Sequence, residues 1–176
     1  MVQSVELLLD PDTDAAVRAQ WAALWDRGIA SLHRVQAESN RPHVTLFVAH
    51  AIPDEAEEAL RRAFSPQSLP IRLGGLICFG SRHVTVARQV VPTASLLSLQ
   101  RSVFDVAVGT GEKPRIPPHI APGHWTPHVT LSRRVRADRL GEVVTTVGGD
   151  DLDGHGVALR RWDGDAKREW LLTPPP

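Results

Sequence analysis

The same tetrapeptide follows a proline in Arg41-Pro42-His43-Val44-Thr45-Leu46-Phe47-Val48 and in Thr126-Pro127-His128-Val129-Thr130-Leu131-Ser132-Arg133. In a β-strand successive side chains point to opposite faces, so His43 and Thr45 share one face while Val44, Leu46 and Val48 share the other. The apolar face can pack into a core. The other face sets an imidazole beside a hydroxyl, a pairing that can hold a phosphate oxygen and hand it a proton. A third copy, His83-Val84-Thr85-Val86, follows Ser81-Arg82 instead of a proline. A lone strand histidine is more often structural than catalytic, and only the two proline-introduced copies reverse that preference. His83 is therefore read as structural or as part of a rim.

Alternating strands need a core to stand on. A chain of 176 residues, 42% apolar and 23% charged, can bury one, and residues 1–176 are expected to form a single domain. The formal net charge is zero, so no whole-protein field favours non-specific nucleic-acid binding and an anionic substrate must be held by local groups. Arginine greatly outnumbers lysine, which suits bidentate phosphate contact and also follows from genome base composition. With Cys78 the single cysteine, neither an intramolecular disulfide nor a cysteine zinc site can be built. The start of the chain has no basic stretch leading into an apolar one, and no apolar run reaches membrane-spanning length. A soluble, cytoplasmic protein without membrane attachment is expected.

Along the chain, Val2 to Leu9 reads as a buried strand, Asp12 or Thr13 as a helix cap, and Ala15 to Ile29 as a helix that buries Trp21 and Trp25. Residues 31–40 stay open between strand and loop. The first motif strand runs to about His50, and a helix opened by Pro53-Asp54-Glu55 has Ala56, Ala59, Leu60 and Ala63 as its inner stripe, ending near Pro66. Leu69 to Phe79 and His83 to Val91 read as a hairpin. A helix over Ala94 to Val108 has Leu96, Leu97, Leu99, Val103, Phe104 and Val106 on its buried side. The Gly- and Pro-rich segment from Thr110 to Pro127, with Lys113, Arg115, His119, His124 and Trp125, is read as a lid or rim that delivers the second motif. A short helix over Ala137 to Val147 then precedes strands at Leu152 to Trp162 and Lys167 to Leu172, joined by a turn at Asp163-Gly164.

One motif in each half, the second as Pro-His-Val-Thr-Leu-Ser-Arg, resembles the two-histidine (2H) phosphoesterases, in particular the bacterial 2′-5′ RNA ligase-like, RNA 2′,3′-cyclic phosphodiesterase branch. The resemblance implies an α+β, bilobal fold: two antiparallel-rich sheets flanked by helices, with pseudo-twofold symmetry around a central cleft. It gives His43, Thr45, His128 and Thr130 the catalytic roles in hydrolysing 2′,3′-cyclic phosphodiesters of RNA ends or nucleotides, to 2′-phosphates. No metal and no cofactor are implied, reversible 2′-5′ RNA ligation is a further capacity, and a monomer is expected.

The residues agree with that chemistry. Ring opening of a cyclic phosphate needs a base for water, an acid for the leaving ribose oxygen and donors for the phosphoryl oxygens. Two imidazoles titrating near neutral pH can supply both proton steps. His128 is taken as base and His43 as acid, an order the residues leave open. For substrate contacts, strand parity favours Arg134 and the resemblance favours Arg133. Trp125 and Phe79 could stack on a base, with burial in core or rim as the alternative. A non-catalytic module binding RNA ends or nucleotides in the same His-Thr cleft is the rival reading. A metallohydrolase is disfavoured because no HExxH or HxH cluster is present.

Overall fold

The computed structural model describes residues 2–65, 68–111 and 114–176; Pro66 and Lys113 of the sequence reading lie outside the described residues. The opening apolar run forms β1 (Gln3–Leu9), and Asp10 caps α1 (Pro11–Asp26) by accepting the Asp12 and Thr13 amides. The cap thus falls ahead of the expected Asp12 or Thr13, because Pro11 has no N–H to satisfy and takes the first helical position. Thr13, Val17, Trp21 and Leu24 form the buried stripe of α1. Trp25, expected in the core, lies beside that stripe; it is 46% exposed and tilts against His33 with ring centroids 6.3 Å apart. Gly28, at φ +66, supplies the left-handed residue that ends the helix.

Residues 31–40 contain a short 3-10 helix (Leu32–Arg34) and lead into β2 (His43–Ala49), which carries the first motif. On α2 (Asp54–Ala63) Ala56 and Leu60 are buried, whereas Ala59 is half-buried and Ala63 exposed, a narrower stripe than expected. β3 (Leu69–Phe79) and β4 (His83–Val90) form the expected antiparallel hairpin. α3 (Ala94–Val108) is capped by Thr93 and buries Leu96, Leu99, Gln100, Val103 and Ala107. Leu97, expected inside, is 44% exposed. β5 (His128–Arg136) carries the second motif; the expected helix after it is split into a 3-10 turn (Ala137–Arg139) and α4 (Leu140–Val147). β6 (Leu152–Asp163) and β7 (Arg168–Leu171) close the chain. Their turn is wider than Asp163-Gly164, because the Asp163 carboxylate gathers the Asp165 and Ala166 amides and Lys167 adopts φ +53.

The class is α+β, with helices around an antiparallel seven-stranded sheet of order β2-β1-β6-β3-β4-β5 and β7 paired to β6. The two expected sheets are the halves of this one, β2-β1-β6 and β3-β4-β5, joined where β3 pairs with β6. The chain repeats strand-helix-strand-helix-strand, as β1-α1-β2-α2-β3 and then β4-α3-β5-α4-β6, and exchanging β1 with β4, β2 with β5 and β3 with β6 reverses the sheet order, which is the pseudo-twofold relation. Both motif strands are edges, and β2 and β5 come against each other without pairing. Val5, Leu7, Val44, Leu46, Val86, Val129 and Leu131 belong to a core continuous across both halves. Among the described residues no helix is long and apolar enough to cross a membrane.

Candidate active site

An edge strand leaves one row of backbone groups without a ladder partner, and buried groups of that kind must be satisfied elsewhere. Here each half serves the other. Trp21 of α1 donates its indole N–H to the Thr130 carbonyl of β5 at 3.0 Å, and Trp125 donates to the Thr45 carbonyl of β2 at 2.9 Å. Ser31 bridges to Ser132, whose hydroxyl donates to the Ala30 carbonyl. The described part of the 110–127 segment runs as a rim along β2: His50 N–H donates to the Arg115 carbonyl at 3.0 Å, and the Gln100 amide joins the Leu46 and Ile120 carbonyls.

The prolines have a local purpose. A residue before proline is pushed out of the helical region into an extended conformation, and here its carbonyl meets the imidazole two residues on. His43 Nδ1 lies 2.6 Å from the Arg41 oxygen and His128 Nδ1 lies 2.7 Å from the Thr126 oxygen. A carbonyl can only accept, so both bonds place a proton on Nδ1 and leave Nε2 as the nitrogen free to take or give one.

Both motifs also break strand alternation at the same place. Thr45 pairs with Glu6 and Phe47 with Val5, so Leu46 is an inserted residue; Thr130 pairs with Ala87 and Ser132 with Val86, so Leu131 is another. The burial sequence is the same in both: histidine half-buried, valine buried, threonine half-buried, then two buried residues. A bulge of this kind bends the strand and ends the alternating face. The His-Thr pair therefore stands alone on each edge.

The surroundings of the two histidines differ. Glu6, 3% exposed, places Oε1 3.5 Å from His43 Nε2 and accepts Ser4 Oγ at 2.7 Å. Arg160, 2% exposed, donates Nε and Nη2 to Glu6 Oε2 at 2.8 and 2.5 Å, while its Nη1 reaches Glu169 and the Ser39 carbonyl. Burial pushes the Glu6 carboxyl up, but the His43 and Arg160 charges and the bonds from Ser4 and Arg160 hold it below the ordinary carboxylate value. His128 has the Phe79 ring at 4.8 Å between centroids. Burial lowers its imidazole below the ordinary 6.5; the Thr126 carbonyl opposes this, and the charges of His43, Arg133 and His119 add to the lowering.

Of the other residues singled out in the sequence, Phe79 lies at the site, 37% exposed beside His128. Trp125 is half-buried, with its N–H committed to Thr45 and its ring packed on the core, which makes it a wall of the site and not a free stacking platform. The parity argument for Arg134 fails at a second bulge: Ser132 pairs with Val86 and Val135 with Val84, leaving Arg133 and Arg134 opposite one residue, with Arg134 at φ +63. Arg133 is the one of the two whose charge is felt by His128. His83 pairs with Arg136, at the far end of β5 from His128. Sequence reasoning missed Glu6 and Arg160 and gave His119 no role. Their signal was a glutamate inside an apolar run and an arginine inside a buried strand, which are stable only with partners. Among the described residues no three His, Cys, Asp or Glu side chains are grouped to hold a metal ion.

The model of one protein family, described as the 2′-5′ RNA ligase superfamily, matches residues 11–166. The chain belongs to that superfamily, the two-histidine phosphoesterases, which comprises phosphoesterase and ligase enzymes. Solved structures agree in fold. Usb1 of Kluyveromyces marxianus is 19% identical over 99% of this chain and 98% of its own, with a TM-score of 0.57. LigT of E. coli complexed with 3′-AMP is 18% identical over 99% and 94%, with a TM-score of 0.56. TT0787 of Thermus thermophilus is 20% identical over 98% and 95%, also at 0.56. No curated protein matches the chain by sequence.

Proposed function

We propose that the protein is a metal-independent phosphodiesterase that opens 2′,3′-cyclic phosphates at RNA ends or on nucleotides, leaving 2′-phosphates. The observation that carries this reading is the pair of edge strands, each with a histidine anchored through Nδ1, a threonine two residues on and a bulge directly after it. Such a pair suits in-line displacement, with one imidazole on the attacking side of phosphorus and the other on the leaving side.

His128, lowered by burial, is the base. Its Nε2 takes a proton from water as the water oxygen bonds to phosphorus. The bond from phosphorus to the ribose 3′-oxygen breaks, and His43 Nε2 gives that oxygen a proton, so the phosphate stays on the 2′-oxygen. The Thr45 and Thr130 hydroxyls donate to the non-bridging oxygens, where charge builds. Arg133 adds positive charge, and Phe79 offers an apolar face to the base of the nucleotide. Replacing water with the 5′-hydroxyl of a second RNA end turns the same steps into 2′-5′ ligation. That LigT of E. coli is complexed with 3′-AMP supports a nucleotide-sized substrate for this fold.

The test is turnover of a nucleoside 2′,3′-cyclic phosphate in excess chelator, with the product separated as 2′- or 3′-phosphate. Full activity and a 2′-phosphate product are expected. Loss of turnover in chelator, restored by one divalent ion, overturns the metal-free reaction; binding without turnover in any condition favours a module that only holds RNA ends.

A further inference from the structure

The two motifs are alike to the bulge, so something outside them must decide which histidine gives the proton. We propose that Glu6, clamped by Arg160, is the positioning residue that makes His43 the acid of the pair. The proposal rests on the function given above and adds to it a residue that neither motif contains.

Under the pseudo-twofold relation, the residue facing Thr45 is Glu6 on β1, and the residue facing Thr130 is Ala87 on β4. One strand further in, Glu6 faces Arg160 on β6, and Ala87 faces Ile77 on β3. One half thus backs its histidine with a buried ion pair where the other has two small or apolar side chains. A buried ion pair is a poor source of stability, because desolvation offsets its attraction. Its position against one histidine gives it a different use.

The geometry fits a charge neighbour and not a bonding partner. At 3.5 Å from Glu6 Oε1, His43 Nε2 is beyond an ordinary N–H···O distance, so the carboxylate faces the imidazole without taking its N–H away from the leaving oxygen. The carboxylate cannot turn away, since Ser4 and two nitrogens of Arg160 hold it. Among the described residues, His43 is faced by Glu6 from β1, by Arg160 from β6 with Nη2 3.4 Å from Nδ1, by the Arg41 carbonyl from its own strand's entry and by His128 from β5. Arg160 opposes an imidazolium, but it is bound to both Glu6 and Glu169, two carboxylates against one guanidinium. Arg161, which also feels the charge of Glu6, is paired with Glu57, so the cluster behind His43 stays net negative. Around His128 the side chains whose charge bears on it, His43, Arg133 and His119, are all basic, and the neighbouring ring is Phe79.

Titration of both imidazoles by nitrogen NMR, in wild type and in Glu6→Gln, tests this without depending on turnover. In Glu6→Gln, His43 should lose its proton at a lower pH than in the wild type, while His128 is not lowered. The alkaline limb of kcat/KM should move down by the same amount, and Glu6→Asp, which keeps the charge, should move both back. If Glu6→Gln does not fold, Glu169→Gln at the half-exposed end of the cluster should shift His43 the same way by less. An unmoved His43 in the folded variant overturns the role of Glu6 and leaves the phosphodiesterase reading intact. The expected shift in a protein that opens no cyclic phosphate keeps the charge assignment and overturns that reading instead.

Discussion

Each imidazole donates its Nδ1–H to the carbonyl two residues upstream, which aims the ring and leaves Nε2 as its working nitrogen. His43→Ala and His128→Ala should each lower kcat by about two to four orders of magnitude with the fold retained. Because they act as a unit, the double variant should be little worse than the poorer single one. His83→Ala should leave turnover nearly unchanged: along β4 it is removed from the partner of His128 by the stretch from Gln89 to His83, about 20 Å at about 3.3 Å per residue. Steady-state kinetics on the three variants with a cyclic nucleotide decides this, and loss of turnover only in the His83 variant contradicts it. Burial lowers His128, so the base gives up its proton at a lower pH than an ordinary imidazole does. The acidic limb of kcat/KM should lie below the ordinary imidazole value of 6.5, and a rate profile with that limb above it contradicts His128 as base.

At the scale of elements, the site depends on how closely α1 packs on the sheet, because Trp21 of that helix seals the Thr130 carbonyl. The close approach is made at Gly154 of β6, where a Cβ would fall 1.9 Å from Thr13 Oγ1 and 2.9 Å from the Asp10 carboxylate that caps the helix. Thr13 Oγ1 is itself tied to Asp10 at 2.7 Å, so neither group can yield without opening the cap. Gly154→Ala should therefore destabilise the fold by about 1–3 kcal/mol, as overpacking does. Gly75→Ala, with nothing within 4 Å of the added atom, is the control and should cost far less. Urea denaturation of both proteins measures the difference.

Over the whole molecule, acid should act on the site and the fold together. Glu6 has a lowered pKa in the folded state, so its contribution to stability is present above the ordinary 4.5 and lost as pH falls through the folded value. His128 is lowered too, so the folded protein binds its proton less readily than the unfolded chain; that contribution is present above 6.5 and lost on the way down. The urea midpoint of the wild type should decline as pH falls through the carboxylate range, and that of His43→Ala, which removes the other imidazole of the pair, should also decline as pH falls below 6.5. Midpoints that hold steady in both tests contradict the charge assignments at the cleft.

What sequence alone determined is what neighbouring residues determine. Alternation marked β2 and β5 as strands, helical spacing marked α1 and α3, and the paired Pro-His-Val-Thr-Leu segments marked one place in each half, with the α+β class and the family following from them. Local rules failed where register took over. The bulges at Leu46 and Leu131 and the one at Arg133 and Arg134 are set by pairing with β1 and β4, so parity counted along β5 could not choose between the arginines. Glu6 and Arg160 meet across 154 positions of chain, and Trp21 reaches Thr130 across 109. Those contacts exist only once the sheet has brought its two edges together, because a buried charge or an edge carbonyl takes whichever partner the fold places within hydrogen-bonding distance.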